Sequence, residues 1–242
     1  MATYAVGDIH GCLDELVCLI DGLPLKPDDE LVFLGDYIDR GPDSKGVISF
    51  LLDLRSQARC KTVYLKGNHE DMLLSFLGLG GNHGDAFSFN GGAATLSSYG
   101  VPGHGSNAAS ARAAMPDDHL DFLSTLNSYH LTGPFLCVHA GIHPGKDLTQ
   151  QTEEELLWIR YEFIGRPHRL PYTVLFGHTP LKEVLFDLPY KVGLDTGLVY
   201  GNALSCLEVS EKILYQIQRG GQRVTRKTVM ERWEKRSAPV SA

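Results

Sequence analysis

Residues 31–41 read LVFLGDYIDRG, in which four apolar residues lead into glycine, aspartate and a second polar group. Residues 3–11, TYAVGDIHG, and residues 62–70, TVYLKGNHE, have the same arrangement. A short apolar, β-branched run that ends in a glycine-containing turn is typical of a buried strand. The three stretches therefore predict three strands, each followed directly by side chains that can bind a metal ion.

Helical patterns and further strands fill the rest of the chain. Apolar residues recur at helical spacing over Leu13–Leu23 and Ser44–Leu54, whereas Phe135–Val138 and Val174–Phe176 resemble buried strands,. Alternation of strands and helices predicts an α/β fold. Near the carboxyl terminus, the apolar runs 203–209 and 212–217 are separated by two polar residues. They predict a β-hairpin.

Composition restricts the class of protein. The chain has 242 residues, 43% of them hydrophobic, so one sizeable core is expected,. No apolar run approaches the length of a membrane span, and the first residues lack the features of a signal peptide. The five cysteines are scattered, which predicts reduced thiols in a cytoplasmic protein,. A net charge of -7 disfavours a nucleic-acid partner,. The oligomeric state stays open.

Two segments differ from the main domain, which we predict over residues 1–218. Residues 78–116 are rich in glycine, alanine, serine and asparagine and predict an excursion over the sheet,. It is either a lid that selects substrates or a plain loop. Residues 219–242 contain seven basic and two acidic residues, and we interpret this basic tail as a solvated helix or a frayed end,.

Residues able to bind a metal follow five of the predicted strands. They are Asp8 and His10, Asp36, Asn68, His139 and His178. The carboxyl ends of strands are where open α/β sheets place their ligands. A single aspartate there would more often be a turn or cap residue, but five such elements together favour a site of oxygen and nitrogen ligands. The absence of thiolates argues against a structural zinc site.

These motifs resemble a known family. The pattern G-D-x-H-G at 7–11, G-D-x-x-D-R-G at 35–41 and G-N-H-E at 67–70 is similar to the signature of the calcineurin-like metallophosphoesterases. More narrowly, it resembles the phosphoprotein phosphatase branch of bacteria and phages. The resemblance continues through residues 139–141, 177–180 and 194–197. It implies a phosphoric ester hydrolase with a four-layer α/β sandwich, in which helices flank two central β-sheets.

The resemblance also implies a cofactor of two divalent metal ions, with Mn favoured and Fe, Zn or Co as alternatives. Asp8 and His10 would hold the first ion, Asp36 would bridge the pair, and Asn68, His139 and His178 would hold the second. A hydroxide that bridges the two ions would attack phosphorus directly.

Four further residues receive roles from the same resemblance. His69 matches the general acid for the leaving oxygen, and Asp39 would orient and charge its imidazole. Arg40 and Arg160 would bind the phosphate, together with Asn68, because the planar guanidinium pairs with two phosphate oxygens. The alternatives are a structural role for His69 and a surface ion pair of Asp39 with Arg40. Asp195 is interpreted as a turn residue that supports the site.

The resemblance implies a phosphatase acting on phosphoserine and phosphothreonine, and on small aryl phosphates. The partner would be a phosphoprotein or a small phosphoester. Asp39 and Glu70 favour this function, since symmetrical dinucleoside tetraphosphatases typically have Ala and Asp there. The alternative is a hydrolase of dinucleoside polyphosphates such as diadenosine tetraphosphate. A non-catalytic scaffold is disfavoured, because every predicted ligand position is filled.

Overall fold

The architecture is built from eleven strands and nine α-helices in the part of the chain that the computed structural model describes, residues 1–103 and 107–234. The strands are β1 Thr3–Val6, β2 Glu30–Phe33, β3 Lys61–Tyr64, β4 Tyr129–Thr132, β5 Phe135–Val138, β6 Thr173–Phe176, β7 Leu185–Asp187, β8 Lys191–Gly193, β9 Ala203–Glu208, β10 Ile213–Gln218 and β11 Thr225–Thr228. The α-helices are α1 Leu13–Gly22, α2 Ser44–Gln57, α3 Asn68–Phe76, α4 Gly92–Ser98, α5 Ala108–Ala114, α6 Asp117–Ser124, α7 Glu153–Trp158, α8 Tyr161–Ile164 and α9 Met230–Glu234.

The strands form two mixed sheets. The first has the order β11-β10-β9-β1-β2-β3, with β1, β2 and β3 parallel and the other neighbours antiparallel. The second has the order β4-β5-β6-β8-β7, with β5, β6 and β8 parallel. In each sheet the central parallel strands end at the same edge, which brings the loops that follow them together.

Three apolar clusters separate four layers. In β2, Leu31 and Phe33 pack against the helices on the outer face of the first sheet, whereas Val32, and Leu34 just after the strand, belong to the cluster between the sheets. A third cluster, which includes Phe163 of α8, covers the outer face of the second sheet. Side chains of successive strand residues point to opposite faces, so each strand contributes to two clusters. The predicted four-layer sandwich of two sheets flanked by helices is confirmed.

The predicted strands and helices are present with small shifts of their ends. β1 and β5 have the predicted bounds, while β2 and β3 begin and end one residue earlier than predicted. The chain already turns at Gly35, whose φ of 105° favours glycine, so the buried Leu34 lies outside β2,. β9 and β10 pair as the predicted hairpin.

The excursion at 78–116 is more ordered than the sequence indicated. It contains the short 3₁₀ helices Gly84–Ala86 and Ser88–Asn90 and the helices α4 and α5. Phe87, Leu96 and Tyr99 are buried in the cluster formed with the helices of the first sheet. The sequence did not indicate this packing, because the segment has few large apolar residues and those few are the ones that are buried. Residues 104–106 lie outside the described residues.

The basic tail begins as part of the first sheet. Strand β11 pairs with β10, and Arg219 donates a hydrogen bond to the buried carboxylate of Glu15. Residues 225–228 therefore form an edge strand and not the solvated helix or frayed end of our interpretation. Every side chain of β11 is exposed, which left no apolar alternation to signal a strand,. Residues 235–242 lie outside the described residues.

No helix among residues 1–103 and 107–234 is long and apolar enough to cross a membrane. All five cysteines are free thiols, and four of them are buried.

Candidate metal centre

The predicted site residues meet at the carboxyl ends of β1, β2, β3, β5 and β6, where loops from both sheets converge. The backbone there is strained. Eight described non-glycine residues have positive φ, and five of them belong to this region: His10, Asp36, Asp39, Arg40 and His178. Such conformations cost about 1–3 kcal/mol each and concentrate where function requires them.

Two groups of potential metal ligands share Asp36. The first contains His10, Asp36 and His69, and the second contains Asp36, His139 and His178. Within each group the ligand atoms lie within 4.8 Å of one another. Asp36 Oδ2 lies 3.5 Å from His10 Nε2, and Asp36 Oδ1 lies 3.4 Å from His139 Nε2. Each carboxylate oxygen therefore faces a different group, as a bridging ligand requires.

Hydrogen bonds at the back of two imidazoles fix which nitrogen faces the site. Nδ1 of His10 lies 2.8 Å from the carbonyl oxygen of Ile38, and Nδ1 of His139 lies 2.9 Å from that of Leu34. A carbonyl oxygen only accepts, so each Nδ1 carries the proton and each Nε2 presents a lone pair. Burial lowers the pKa of His10 to about 3 and lowers that of His139, which keeps both rings neutral.

Hydrogen-bond acceptors face one another in the second group. Asn68 Oδ1 lies 3.0 Å from the unprotonated Nε2 of His139 and 2.9 Å from Nδ1 of His178. The lone pairs of Asn68 Oδ1 and His139 Nε2, with no proton between them, repel unless a cation lies beside them,. Nε2 of His178 is buried with no hydrogen-bond partner among the described residues. Carboxylate, amide and imidazole ligands suit Mn, Fe, Co or Zn, so these residues fit a pair of divalent ions.

Asp8 lies beside the two groups rather than within them. Both its oxygens accept from the backbone N–H of His178, at 3.1 and 2.9 Å. Burial and the negative charges of Asp195 and Asp36 raise the pKa of Asp8 above its usual range. A cation near this carboxylate would stabilise its charged form. Its role as a ligand stays a prediction.

His69 and Asp39 form a buried pair. His69 Nδ1 lies 2.6 Å from Asp39 Oδ2, while His69 Nε2 points toward Asp36 Oδ2 at 3.9 Å. Burial opposes protonation of His69, but the carboxylates of Asp36 and Asp39 outweigh it and raise the pKa of His69. The predicted pairing of these two side chains is present. His69 also lies within the first ligand group, so its assignment as an acid rather than a ligand stays a prediction.

Two hydroxyl groups that the sequence analysis did not assign hold Asp39 in place. Thr95 Oγ1, from α4, donates to Asp39 Oδ1 at 2.5 Å and accepts from the Asp39 backbone N–H at 2.9 Å. Ser44 Oγ accepts from the same N–H at 3.0 Å and lies 3.0 Å from Thr95 Oγ1. The excursion therefore contributes to the support of the His69–Asp39 pair.

Glu70 anchors the loop that carries Asp36. Its Oε2 accepts from the backbone N–H groups of Asp36 and Gly67, and its Oε1 accepts from those of Tyr37 and, at 3.4 Å, Ile38. A Cβ on Gly67 would lie 2.2 Å from Asp36 Oδ1, so only glycine allows the two loops to approach this closely,. A glutamate that follows the G-N-H motif by one residue was the available signal for this role.

The two predicted phosphate-binding arginines lie on different sides of the ligand groups. Arg40 Nη1 donates to His10 Nε2 at 2.6 Å, and Arg160 Nη1 donates to the His178 carbonyl oxygen at 3.1 Å. Both are partly exposed.

Comparison with known proteins supports the assignment of the chain to a family. Residues 1–206 match the model of the calcineurin-like phosphoesterases. The chain is 30% identical to bis(5'-nucleosyl)-tetraphosphatase PrpE (asymmetrical) of Bacillus thuringiensis strain Al Hakam, over 85% of this chain and 89% of that protein. A solved structure described as a proposed diadenosine tetraphosphatase is 27% identical with a TM-score of 0.65, and the match covers 90% of this chain and 93% of that one.

A cold-active protein tyrosine phosphatase has a similar fold. Its TM-score is 0.64 at 19% identity, and the match covers 94% of this chain and 78% of that one. At this identity the likeness concerns the fold alone. The family match, which spans most of the chain, has the greater weight. The chain belongs to the calcineurin-like phosphoesterase family and is a phosphoric ester hydrolase.

Proposed function

We propose that this chain hydrolyses dinucleoside polyphosphates, which was the alternative in the sequence analysis. The similarity to a bis(5'-nucleosyl)-tetraphosphatase over 85% of the chain carries this proposal. The expected protein serine/threonine phosphatase activity has no comparable support. The arrangement of the site agrees with the proposal, because Arg40 and Arg160 flank the two ligand groups and can bind successive phosphates of one chain,.

The two positions that favoured a protein phosphatase do not count against this function. Asp39 and Glu70 separate the chain from symmetrical tetraphosphatases, whereas the matching relative is named as asymmetrical. In the structure both residues support the site itself, since Asp39 orients His69 and Glu70 anchors the Asp36 loop. These two residues therefore do not distinguish a phosphopeptide from a dinucleotide as the substrate.

The residues divide the reaction as follows. When bound, the two divalent ions would lower the pKa of a water molecule and neutralise charge on the phosphoryl oxygens. Asp8, His10, Asp36, Asn68, His139 and His178 would hold them. Arg40 and Arg160 orient the phosphate chain so that water attacks one phosphorus atom opposite the leaving oxygen. As that P–O bond breaks, His69 donates its Nε2 proton to the leaving phosphate oxygen, and Asp39 stabilises the charged imidazole.

Steady-state kinetics test the proposal. The full chain is reconstituted with Mn²⁺, and kcat/KM is compared for diadenosine tetraphosphate and a phosphothreonine peptide at one pH. The proposal predicts a clear preference for the dinucleotide. A preference for the peptide would restore the protein phosphatase. The products also identify the bond that is cut, because asymmetrical cleavage gives a mono- and a triphosphate, whereas symmetrical cleavage gives two diphosphates.

A further inference from the structure

Two exposed tyrosines adjoin the two arginines of the site, Tyr200 in space at Arg40 and Tyr161 along the chain at Arg160. The described residues include seven large hydrophobic side chains that are exposed. Among them, Tyr200 is 62% exposed, Tyr161 is 80% exposed and Phe89 is 91% exposed. The other four lie at the amino terminus, on the edge strand β4 and in α9. Exposed aromatic rings that gather around a site are more informative than scattered ones.

Tyr200 has the most direct connection to the site. The guanidinium carbon of Arg40 lies 5.5 Å from the centre of the Tyr200 ring, while Nη1 of the same arginine donates to His10. A Cβ on Gly197 would lie 3.8 Å from the Tyr200 ring and 3.9 Å from Pro180, which follows His178 by two residues. The ring thus lies near the loops of both ligand groups.

Neighbouring structure fixes the position of Arg40 beside this ring. The Arg40 backbone N–H donates to the carbonyl oxygen of Gly91 at 3.2 Å, and a Cβ on Gly91 would lie 2.6 Å from Arg40 Cγ. The arginine is therefore held between the backbone of the excursion and the face of Tyr200. An exposed ring in contact with a positioned guanidinium offers one surface for an aromatic group and one for a phosphate.

A second exposed tyrosine, Tyr161, is adjacent to Arg160 in the chain. It follows Arg160 directly and begins α8, and its side chain is more exposed than that of Tyr200. Each arginine therefore has an exposed tyrosine nearby. In a nucleotide a single ribose joins the base to its phosphate. An arginine that binds the phosphate and an exposed ring beside it that stacks on the base could therefore bind one nucleotide together.

We propose that Tyr200 is a stacking platform for a nucleobase whose 5'-phosphate is bound by Arg40, and that Tyr161 does the same for the nucleotide at Arg160. This inference rests on the proposed function and adds the residues that select a nucleoside at each end of the substrate. Stacking on a ring depends little on base identity, because every base has a π-face. The enzyme should then accept adenine and guanine dinucleotides alike.

The test compares substrates with and without a base. We would measure kcat/KM of the Mn²⁺-loaded full chain for diadenosine tetraphosphate and for p-nitrophenyl phosphate, and divide the first by the second. Removal of the ring in Tyr200→Ala should lower this ratio roughly 5- to 100-fold, while Tyr200→Phe should keep it within about twofold of the wild type. Tyr161→Ala should also lower it. Tyr129→Ala, an exposed tyrosine on β4, is the matched control.

Inhibition by reaction products distinguishes a failure of this inference from a failure of the proposed function. AMP and inorganic phosphate are compared as inhibitors of p-nitrophenyl phosphate hydrolysis. The inference predicts that AMP binds more tightly than phosphate and that Tyr200→Ala removes the difference. If the wild type does not cleave diadenosine tetraphosphate but shows this Tyr200-dependent preference for AMP, the proposed function fails and the stacking platform stands. Equal substrate ratios and equal AMP inhibition in Tyr200→Ala and the wild type would overturn the inference.

Discussion

At the scale of single residues, the positions of the histidine protons decide which nitrogen atoms of the site can bind a metal ion. Carbonyl oxygens of Ile38 and Leu34 hold the protons of His10 and His139 away from the centre. The resulting lone pair of His139 faces Asn68 Oδ1 with no proton between them, whereas that of His10 lies beside Asp36 and accepts from Arg40. His69 is oriented differently, because its Nδ1 faces the carboxylate of Asp39 and its charged form is favoured. Histidines therefore occur in two different hydrogen-bonding environments within one site.

The proposed acid role of His69 leads to a first prediction. His69→Asn should lower the turnover of diadenosine tetraphosphate roughly 100- to 10,000-fold and leave the metal content unchanged. The loss should be smaller with p-nitrophenyl phosphate, since p-nitrophenolate leaves without being protonated. Metal analysis and steady-state kinetics are the measurements, with His130→Asn on β4 as the control. A fall in bound metal would instead show that His69 is a ligand, as its place in the first group allows.

Thr95 supplies a second prediction. Thr95→Val keeps the shape of the side chain but removes the hydroxyl group that holds Asp39, a hydrogen bond to a charged group worth about 1.5–3 kcal/mol,. We expect kcat to fall roughly 10- to 100-fold with little change in KM, whereas Thr95→Ser should recover most of the activity. The effect should again be smaller for p-nitrophenyl phosphate. Equal losses in the Ser and Val variants would mean that Thr95 only packs against the site.

At the scale of elements, the first turn of α3 connects three parts of the site. Asn68 and His69 face the ligand groups, and Glu70 receives backbone N–H groups from the loop after β2. Burial and the charge of Asp36 raise the pKa of Glu70, and the backbone N–H donors of Tyr37 and Gly67 oppose this rise,. One helical turn thus fixes its own residues and the loop of Asp36.

Glu70→Gln tests this connection. The amide replaces one accepting oxygen with a donor that faces backbone N–H groups, and leaving such buried groups unpaired costs about 1–3 kcal/mol. We expect the free energy of unfolding in urea to fall by about that amount, together with a loss of turnover. Glu183→Gln, at an exposed position, is the control. Unchanged stability and activity would show that the Asp36 loop keeps its conformation without Glu70.

The elements also show what the sequence could and could not indicate. Strands with buried apolar runs, such as β1 and β5, were predicted with their bounds, because periodicity and glycine turns are local signals. The contact of Thr95 with Asp39 joins residues 56 positions apart, and no local pattern contains it. Strand β11 was missed because its side chains are all exposed and only its backbone pairs with β10. The candidate ligands were predicted from motifs, but their arrangement in two groups that share Asp36 required the fold.

At the scale of the whole molecule, the site connects the two sheets. Asp8, His10, Asp36 and Asn68 follow strands of the first sheet, whereas His139 and His178 follow strands of the second. Ligands that a metal pair draws from both sheets would hold the two halves of the sandwich together at this edge. Because folded protein alone presents this arrangement, bound metal should stabilise the fold.

This coupling leads to a prediction about stability. At a metal concentration about 100 times the Kd, one bound ion adds about 2.7 kcal/mol, and a protein of this size gains roughly 2–4 °C in Tm per kcal/mol. Adding Mn²⁺ to the metal-free chain should therefore raise Tm by roughly 5–10 °C. Asp36→Asn should lose most of this increase and lower turnover by orders of magnitude, whereas Asp53→Asn, exposed on α2, should behave like the wild type. An equal shift of Tm in Asp36→Asn would contradict the shared role of Asp36.

The central claim, that two ligand groups sharing Asp36 form the catalytic centre, has one direct test. We would grow crystals with Mn²⁺ and collect diffraction data at the Mn absorption edge to locate the ions. The account predicts two peaks about 3.5–4 Å apart, with Asp36 between them, His10 at one ion and Asn68, His139 and His178 at the other. The same map shows whether Asp8 or His69 is the remaining ligand of the first ion. A single peak, or two peaks without Asp36 between them, would contradict the account.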